Sequence, residues 1–210
     1  MFIDRQDAGE QLAVALMQFK DDNPIILALP RGGVPIGRIV ADALNAPLDV
    51  LLVRKISAPG QPELAIGAIT SNGKPTLFID KEIAPLVGAN EEYIESQINR
   101  KLKEIAQRKQ MYGNVRSNLS LKDRTVIVVD DGIATGSTAQ VALQSLRTAK
   151  PKSLILATPL APRETITKLQ RYADEIICLV TPSPFYAIGS HYHNFDQVSD
   201  SEVVETLDNK

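Results

Sequence analysis

The sequence predicts an α/β protein: a doubly wound parallel sheet of about five strands, with a β-hairpin flap and a small hood from the N- and C-terminal segments. Three observations carry this. Five short, largely apolar runs (Ile25–Leu29, Leu48–Val53, Thr125–Asp130, Leu154–Thr158 and Ile176–Val180) are continuous rather than alternating, as in strands buried on both faces. Helical patterns at Val34–Leu44, Gln140–Ala149 and Arg163–Tyr172 stand between strands, and that alternation implies a parallel sheet with helices on both faces. Finally, Ser71-Asn72-Gly73-Lys74 separates Ala65–Thr70 from Pro75–Ile79, and Asn-Gly between such runs is a strong hairpin signal.

Taken in order, residues 4–20 read as an amphipathic helix capped by Asp4, with Ala8, Leu12, Ala15, Leu16 and Phe19 on one face. Asp21-Asp22-Asn23-Pro24 is a turn into the first strand. Pro30-Arg31-Gly32-Gly33 breaks that strand, and Val34–Leu44 resumes as a helix with Pro35 in its first turn. Arg54–Leu64, with Pro59, Gly60 and Pro62 and no periodicity, reads as irregular. A long helix starts at Asn90 with Glu91 and Glu92 in its first turn; Ile94, Ile98, Leu102 and Ile105 form its apolar stripe, and Gly113 ends it. Its other positions are highly charged and read as a solvated face. Ser199-Asp200-Ser201-Glu202 is a capping box that opens a terminal helix.

The 210 residues suit one domain, 1–210, with a core at about 25–182 and a hood from about 1–24, 80–118 and 183–210. A hydrophobic content of 44% and a charged content of 23% are ordinary for a soluble globular chain. The formal charge of -2, without a basic stripe, argues against nucleic acid as the main partner. One cysteine, Cys178, excludes an internal disulfide framework and reads as an inert buried thiol. Neither a signal-peptide core nor a membrane-length apolar run is present, so a cytoplasmic location is expected.

The chemistry concentrates in Val126-Ile127-Val128-Val129-Asp130-Asp131-Gly132-Ile133-Ala134-Thr135-Gly136-Ser137-Thr138. A β-branched strand leads into two adjacent carboxylates, a loop of small residues and a helix. Backbone N–H groups of such a loop, at a helix N-terminus, favour a phosphate. Gly136 allows close approach, and the hydroxyls of Thr135, Ser137 and Thr138 add donors. Asp130 and Asp131 repel a phosphate, but they can accept hydrogen bonds from hydroxyls or hold a divalent cation through water. A phosphorylated sugar satisfies both halves. The absence of Gly-Lys-Ser/Thr after the loop excludes a P-loop.

This stretch resembles the phosphoribosyl diphosphate (PRPP) motif of type I phosphoribosyltransferases: hydrophobic strand, two acids, then a small Thr-Gly-Ser-Thr loop. The resemblance covers residues 25–182. It implies binding of the ribose hydroxyls by Asp130 and Asp131, with Mg²⁺ held mainly by the ligand and partly by these aspartates through water, and of the 5-phosphate by Ala134, Thr135, Gly136, Ser137 and Thr138. Pro30-Arg31-Gly32-Gly33 is similar to the family's diphosphate loop, giving Arg31, Gly32 and Gly33 binding roles and allowing a cis peptide there. Arg54 and Lys55, at a strand end, could meet the same diphosphate, and the segment after them resembles the family's mobile closing loop. Phe185-Tyr186-Ala187-Ile188-Gly189 is similar to the acceptor-base segment of purine members, so Phe185 and Tyr192 are expected to offer an aromatic surface to a heterocycle.

His191 and His193 lack nearby acids or thiols and read as surface residues rather than metal ligands. Arg163 reads as a first-turn helix residue. The resemblance implies transfer of phosphoribosyl from PRPP to a nitrogenous acceptor, a nucleobase by preference, with Mg²⁺-assisted release of diphosphate. The alternative is a non-catalytic PRPP-binding regulator. A homodimer is expected by family analogy, and the acceptor is left open.

Overall fold

The computed structural model describes residues 1–71, 75–112 and 119–208, the side chains at 62 and 63 excepted. In chain order the strands are β1 (Ile25–Ala28), β2 (Leu48–Val50), β3 (Leu52–Ala58), β4 (Gln61–Ser71), β5 (Pro75–Ile79), β6 (Thr125–Val129), β7 (Ser153–Leu160) and β8 (Glu175–Val180). The helices are α1 (Arg5–Leu16), α2 (Gly33–Leu44), α3 (Ile83–Leu86), α4 (Glu91–Met111), α5 (Ser137–Arg147), α6 (Arg163–Leu169) and α7 (Asp200–Asp208). Five strands form the expected parallel sheet in the order β2-β1-β6-β7-β8.

Period-two alternation explains why those five runs are apolar throughout. Ile26, Ala28, Ile127, Val129, Ile155 and Ala157 face the layer of α1, α2 and α7. Their neighbours Ile25, Leu27, Val126, Val128, Leu154 and Leu156 face α5 and α6. Each fully buried Ile or Val contributes about 1.5–3 kcal/mol relative to exposure. Two-sided burial therefore fixes this sheet firmly, and with it the loops at its ends.

α1 is capped as expected, Asp4 Oδ1 accepting from Asp7 N at 2.9 Å. It is shorter than predicted, tightening after Leu16 into a 3-10 turn, Met17–Asp22, that ends at left-handed Asn23. The expected strand Leu48–Val53 is two strands. Leu51 N still bonds Ala28 O at 2.9 Å, and beyond it the chain leaves the parallel sheet. β3, β4 and β5 then form a separate antiparallel sheet in that order. Arg54–Leu64 is consequently not irregular: β3 and β4 occupy most of it, with the turn at Pro59-Gly60. Register shifts around Ile56, Ser57 and Ala58 interrupt the alternation that would have marked a strand. The predicted hairpin joins β4 and β5 with Ser71 opposite Pro75. Residues 72–74 of its turn, and Gly113 as the end of α4, lie outside the described residues. α5 supports this second sheet, through a hydrogen bond of 2.6 Å between Thr70 Oγ1 and Ser145 Oγ.

The chain's two ends meet over the sheet. Phe2 N donates to His191 O, and His193 N to Phe2 O, both at 2.9 Å. α7 opens with the predicted capping box, Ser199 N donating to Glu202 Oε2 at 2.7 Å and Glu202 N to Ser199 Oγ at 3.2 Å. Burial pushes the half-buried Cys178 thiol up to about 11, which leaves it protonated and unreactive at neutral pH.

Candidate active site

β1 and β6 are neighbours, yet the sheet grows outward from them in opposite directions. In such a sheet, ligands bind beyond the strand ends at this switch point. Two loops arrive there side by side, residues 30–33 after β1 and 130–136 after β6. Leu29 N donates to Val129 O at 2.8 Å, which keeps them together from their first residues. A Cβ on Gly32 would overlap the Asp131 carboxylate, and one on Gly33 would lie 2.6 Å from Val129 O. Side chains there would therefore push the loops apart. The Pro30–Arg31 peptide is cis. Between the loops lies a cavity of about 320 Å³ lined by Arg31, Gly32, Asp130, Asp131 and the 132–139 segment, with Ile188 at one side.

One end of this cavity is built for an anion. Gly136 adopts a φ of 74°, a left-handed conformation that turns the chain into α5. The first-turn amides of a helix have no partners within it, and the helix dipole adds partial positive charge. Thr165 Oγ1 donates to Ala134 O at 2.7 Å and ties the loop to α6. The Thr135 and Ser137 hydroxyls lie 3.2 Å apart at the exposed rim.

The other end holds the two acids, in unlike settings. Asp131 N donates to Asp130 Oδ1 at 3.0 Å, and burial with the neighbouring Asp131 charge pushes the Asp130 carboxyl well above its ordinary value. Asp131 is 8% exposed. Its Oδ2 accepts from Arg5 Nε at 2.8 Å and lies 2.8 Å from Arg5 Nη2. Burial raises the Asp131 carboxyl as well, against the opposing charge and hydrogen bond of Arg5. Arg5 is itself fixed, Nη1 donating to Asp196 O at 2.7 Å and the guanidinium lying 3.9 Å from the Phe195 ring centroid.

Asp130, Asp131, Arg31, Gly32 and Ala134–Thr138 thus share one cavity, while Gly33 does not line it and lies where a Cβ would meet Val129 O and the Asp130 backbone. Arg54 and Lys55 line a neighbouring cleft of about 250 Å³ with Lys101, which meets the first at Ser137 and Thr138. Arg31 Nη1 stands 3.8 Å from Asp200 on α7. The expectation for Tyr192 is corrected. It is 5% exposed, its hydroxyl donates to Asp131 O at 2.6 Å, and its ring packs against Phe2 and Phe195 at centroid distances of 5.4 and 4.8 Å. No face is left for a heterocycle; Tyr192 braces the acid loop instead. Phe185 stacks on His191 at 5.6 Å, and the residue this segment contributes to the cavity wall is Ile188. Among the described residues, no group of three or more His, Cys, Asp or Glu could hold a metal. Arg163 opens α6, as expected.

Sequence reasoning missed Arg5 and Ile188. Arg5 left a signal, because a cation at the first position of a helix opposes the helix dipole and calls for a reason. Ile188 left none.

With this geometry in place, the comparisons with known proteins agree. The phosphoribosyl transferase domain family matches residues 3–194, so the chain belongs to that family. A Mycobacterium tuberculosis (strain H37Rv) protein with the provisional name phosphoribosyl transferase is 42% identical over 208 residues, covering 99% of this chain and 46% of its own length. The chain spans about half the length of the curated relatives it matches. The crystal structure of TT1426 from Thermus thermophilus superposes with a TM-score of 0.87 at 37% identity, covering 98% of this chain and 97% of that one. Among the described residues, no helix is long and apolar enough to cross a membrane.

Proposed function

We propose that the chain binds PRPP in the cavity at the β1/β6 switch point and transfers its 5-phosphoribosyl group to a nitrogenous acceptor, by preference a nucleobase. The observation that carries this reading is the chemistry of a single cavity: a phosphate-sized anion cradle at the Ala134–Thr138 turn, two carboxylates and the Arg31 loop, with Gly32 against Asp131. The 5-phosphate sits on the amides and hydroxyls of Ala134–Thr138. Asp130 and Asp131 accept from the ribose hydroxyls, with Arg5 and Tyr192 holding Asp131 in place.

The acceptor nitrogen bonds to C1 with inversion while the C1–O bond breaks, its electron pair leaving with the diphosphate; the acceptor's proton passes to solvent or to that leaving group. Arg31 with the loop amides, and Arg54 and Lys55 from the adjoining cleft, stabilise the departing charge. Two carboxylates, one already engaged by Arg5, are a sparse donor set. They fit Mg²⁺ held chiefly by the ligand's oxygens, with Asp130 and Asp131 contributing through water. When bound there, Mg²⁺ neutralises charge on the diphosphate.

A PRPP-binding regulator that transfers nothing is the second reading. The burial of Tyr192 favours it, because the aromatic surface expected for an acceptor is not built from that residue. Calorimetric titration with PRPP and Mg²⁺, followed by a nucleobase panel scored for diphosphate release, separates the two. Release with one base supports the transferase, and binding without release supports the regulator. Absence of PRPP binding overturns both.

A further inference from the structure

A third concavity, of about 430 Å³, runs along the outer edge of β3 and is lined by Lys55, Gln61, Tyr93, Gln97, Arg100 and Lys101 among others. The spacing of Tyr93, Gln97, Arg100, Lys101 and Glu104 places them on one stripe of α4, beside the apolar stripe of Ile94, Ile98, Leu102 and Ile105. The charged side of α4 is therefore not simply a solvated face: this stripe stands against β3. Tyr93 Oη donates to Ser57 O at 2.9 Å and locks helix to strand.

Positive charge is concentrated here. Arg54, Lys55, Arg100 and Lys101 converge on the cleft and its margin. Glu104 is shared by three of them, with Lys101 Nζ at 2.9 Å, Arg54 Nε at 3.2 Å and Arg100 Nε at 3.9 Å. Partial burial works against its ionisation, but the Lys101 hydrogen bond and the surrounding cations hold its carboxyl below the ordinary value. Among the described residues Glu104 pairs with three cations at once, and a like-charge cluster costs stability unless anions join it. Lys101 is only 17% exposed at its side chain, so this positive charge is partly withdrawn from solvent.

We propose that this cleft is a second anion site, whose ligand is a condensed phosphate chain of two or three phosphates. Guanidinium, ammonium and amide donors all line it, enough to meet several linked phosphates rather than one. Its walls are mostly polar, with Tyr93 and Ala58 the main apolar contributions, so the structure selects the phosphate chain and not a flat base. Lys55 and Lys101 also line the smaller cleft that reaches Ser137 and Thr138. The second site therefore adjoins the phosphate loop, while Gln61, Gln97 and Arg100 touch neither that cleft nor the switch-point cavity.

The test is calorimetric titration of sodium tripolyphosphate into the full chain, with and without saturating PRPP and Mg²⁺. Wild type is expected to bind tripolyphosphate in a phase that persists under saturating PRPP, weakened through the shared Lys55 but not displaced. Arg100→Glu should weaken that phase about tenfold or more, and Arg100→Gln less, with PRPP affinity and melting temperature near wild type. Loss of PRPP binding alone rejects the proposed function and spares this site. The proposal is overturned if wild type binds no tripolyphosphate, if PRPP displaces all of it, or if both Arg100 variants bind as wild type does. ATP titrated in parallel resolves the source: equal binding that Arg100→Glu weakens identifies a nucleotide's phosphate tail, and binding of tripolyphosphate alone identifies a free condensed phosphate.

Discussion

The two sheets do different work. β1 and β6 are buried at every position, whereas β5 alternates between half-buried and exposed and leaves Leu77 44% exposed. The parallel sheet is a frame: burial on both faces fixes its strand ends, and the two acids and the 134–138 loop stand on those ends. The antiparallel sheet lies outside that frame and brings Arg54 and Lys55 to the site from the side. In the proposed function, the groups that hold the sugar in one orientation sit on the rigid element. Groups that only supply positive charge to a large anion tolerate a looser one, since Coulomb attraction falls slowly with distance.

Mutations can break this comparison at several depths. The largest contrast is in stability. Ile127→Ala in β6 should cost about 2–5 kcal/mol in urea unfolding, and Leu77→Ala in β5 within about 0.5 kcal/mol. Equal costs would mean that the second sheet is as deeply committed to the core as the first. Next comes binding. Asp131→Asn should weaken PRPP with Mg²⁺ by roughly 100-fold in calorimetry, the scale of one or two lost hydrogen bonds to a charged group. Arg54→Ala should weaken it only about tenfold, because Lys55 and Lys101 remain beside it. A reversed order would place the dominant binding contact on the side sheet. Smaller still, Tyr192→Phe should cost about 1 kcal/mol in stability, since the Asp131 carbonyl loses its buried partner. If Tyr192 instead stacked on an acceptor, that variant would keep its stability and its ring contact alike.

The same contrast accounts for what could be read from the sequence. Ile25–Leu29 and Val126–Val129 announce themselves because burial on both faces demands unbroken apolar residues, and the acids and small residues after Val129 can be placed as soon as that strand is. β3 was hidden, since its register shifts at Ile56–Ala58 blur the alternation and Pro59-Gly60 reads as loop when it is only a turn. The role of Arg5 was legible only in part, for a different reason. Its partner Asp131 is 126 residues away in sequence, and periodicity carries no information on a contact of that range. Tyr192 was located near the site, but its role was misread: sequence brings an aromatic to a loop, and only packing decides whether a face of the ring stays open.

A small expected effect lies on the frame, at the far side from the site. Arg147 at the end of α5 donates from Nη1 and Nη2 to the two oxygens of Asp174, at 2.8 and 2.7 Å, and Leu154 N donates to Asp174 Oδ2 at 2.7 Å. The Arg147 hydrogen bonds, aided by the Leu154 amide and the Arg147 charge against partial burial, hold the Asp174 carboxyl below its ordinary value of 3.8. A carboxyl that ionises more readily in the folded chain stabilises it above the unfolded value, and that contribution fades as pH falls through the folded one. Arg147→Ala should therefore melt slightly below wild type at neutral pH, by the equivalent of about 1 kcal/mol or less for so exposed a pair. The gap should close as the buffer is taken to the acid side of 3.8. A gap that persists there would show that Arg147 stabilises α5 through packing of its stem rather than through charge.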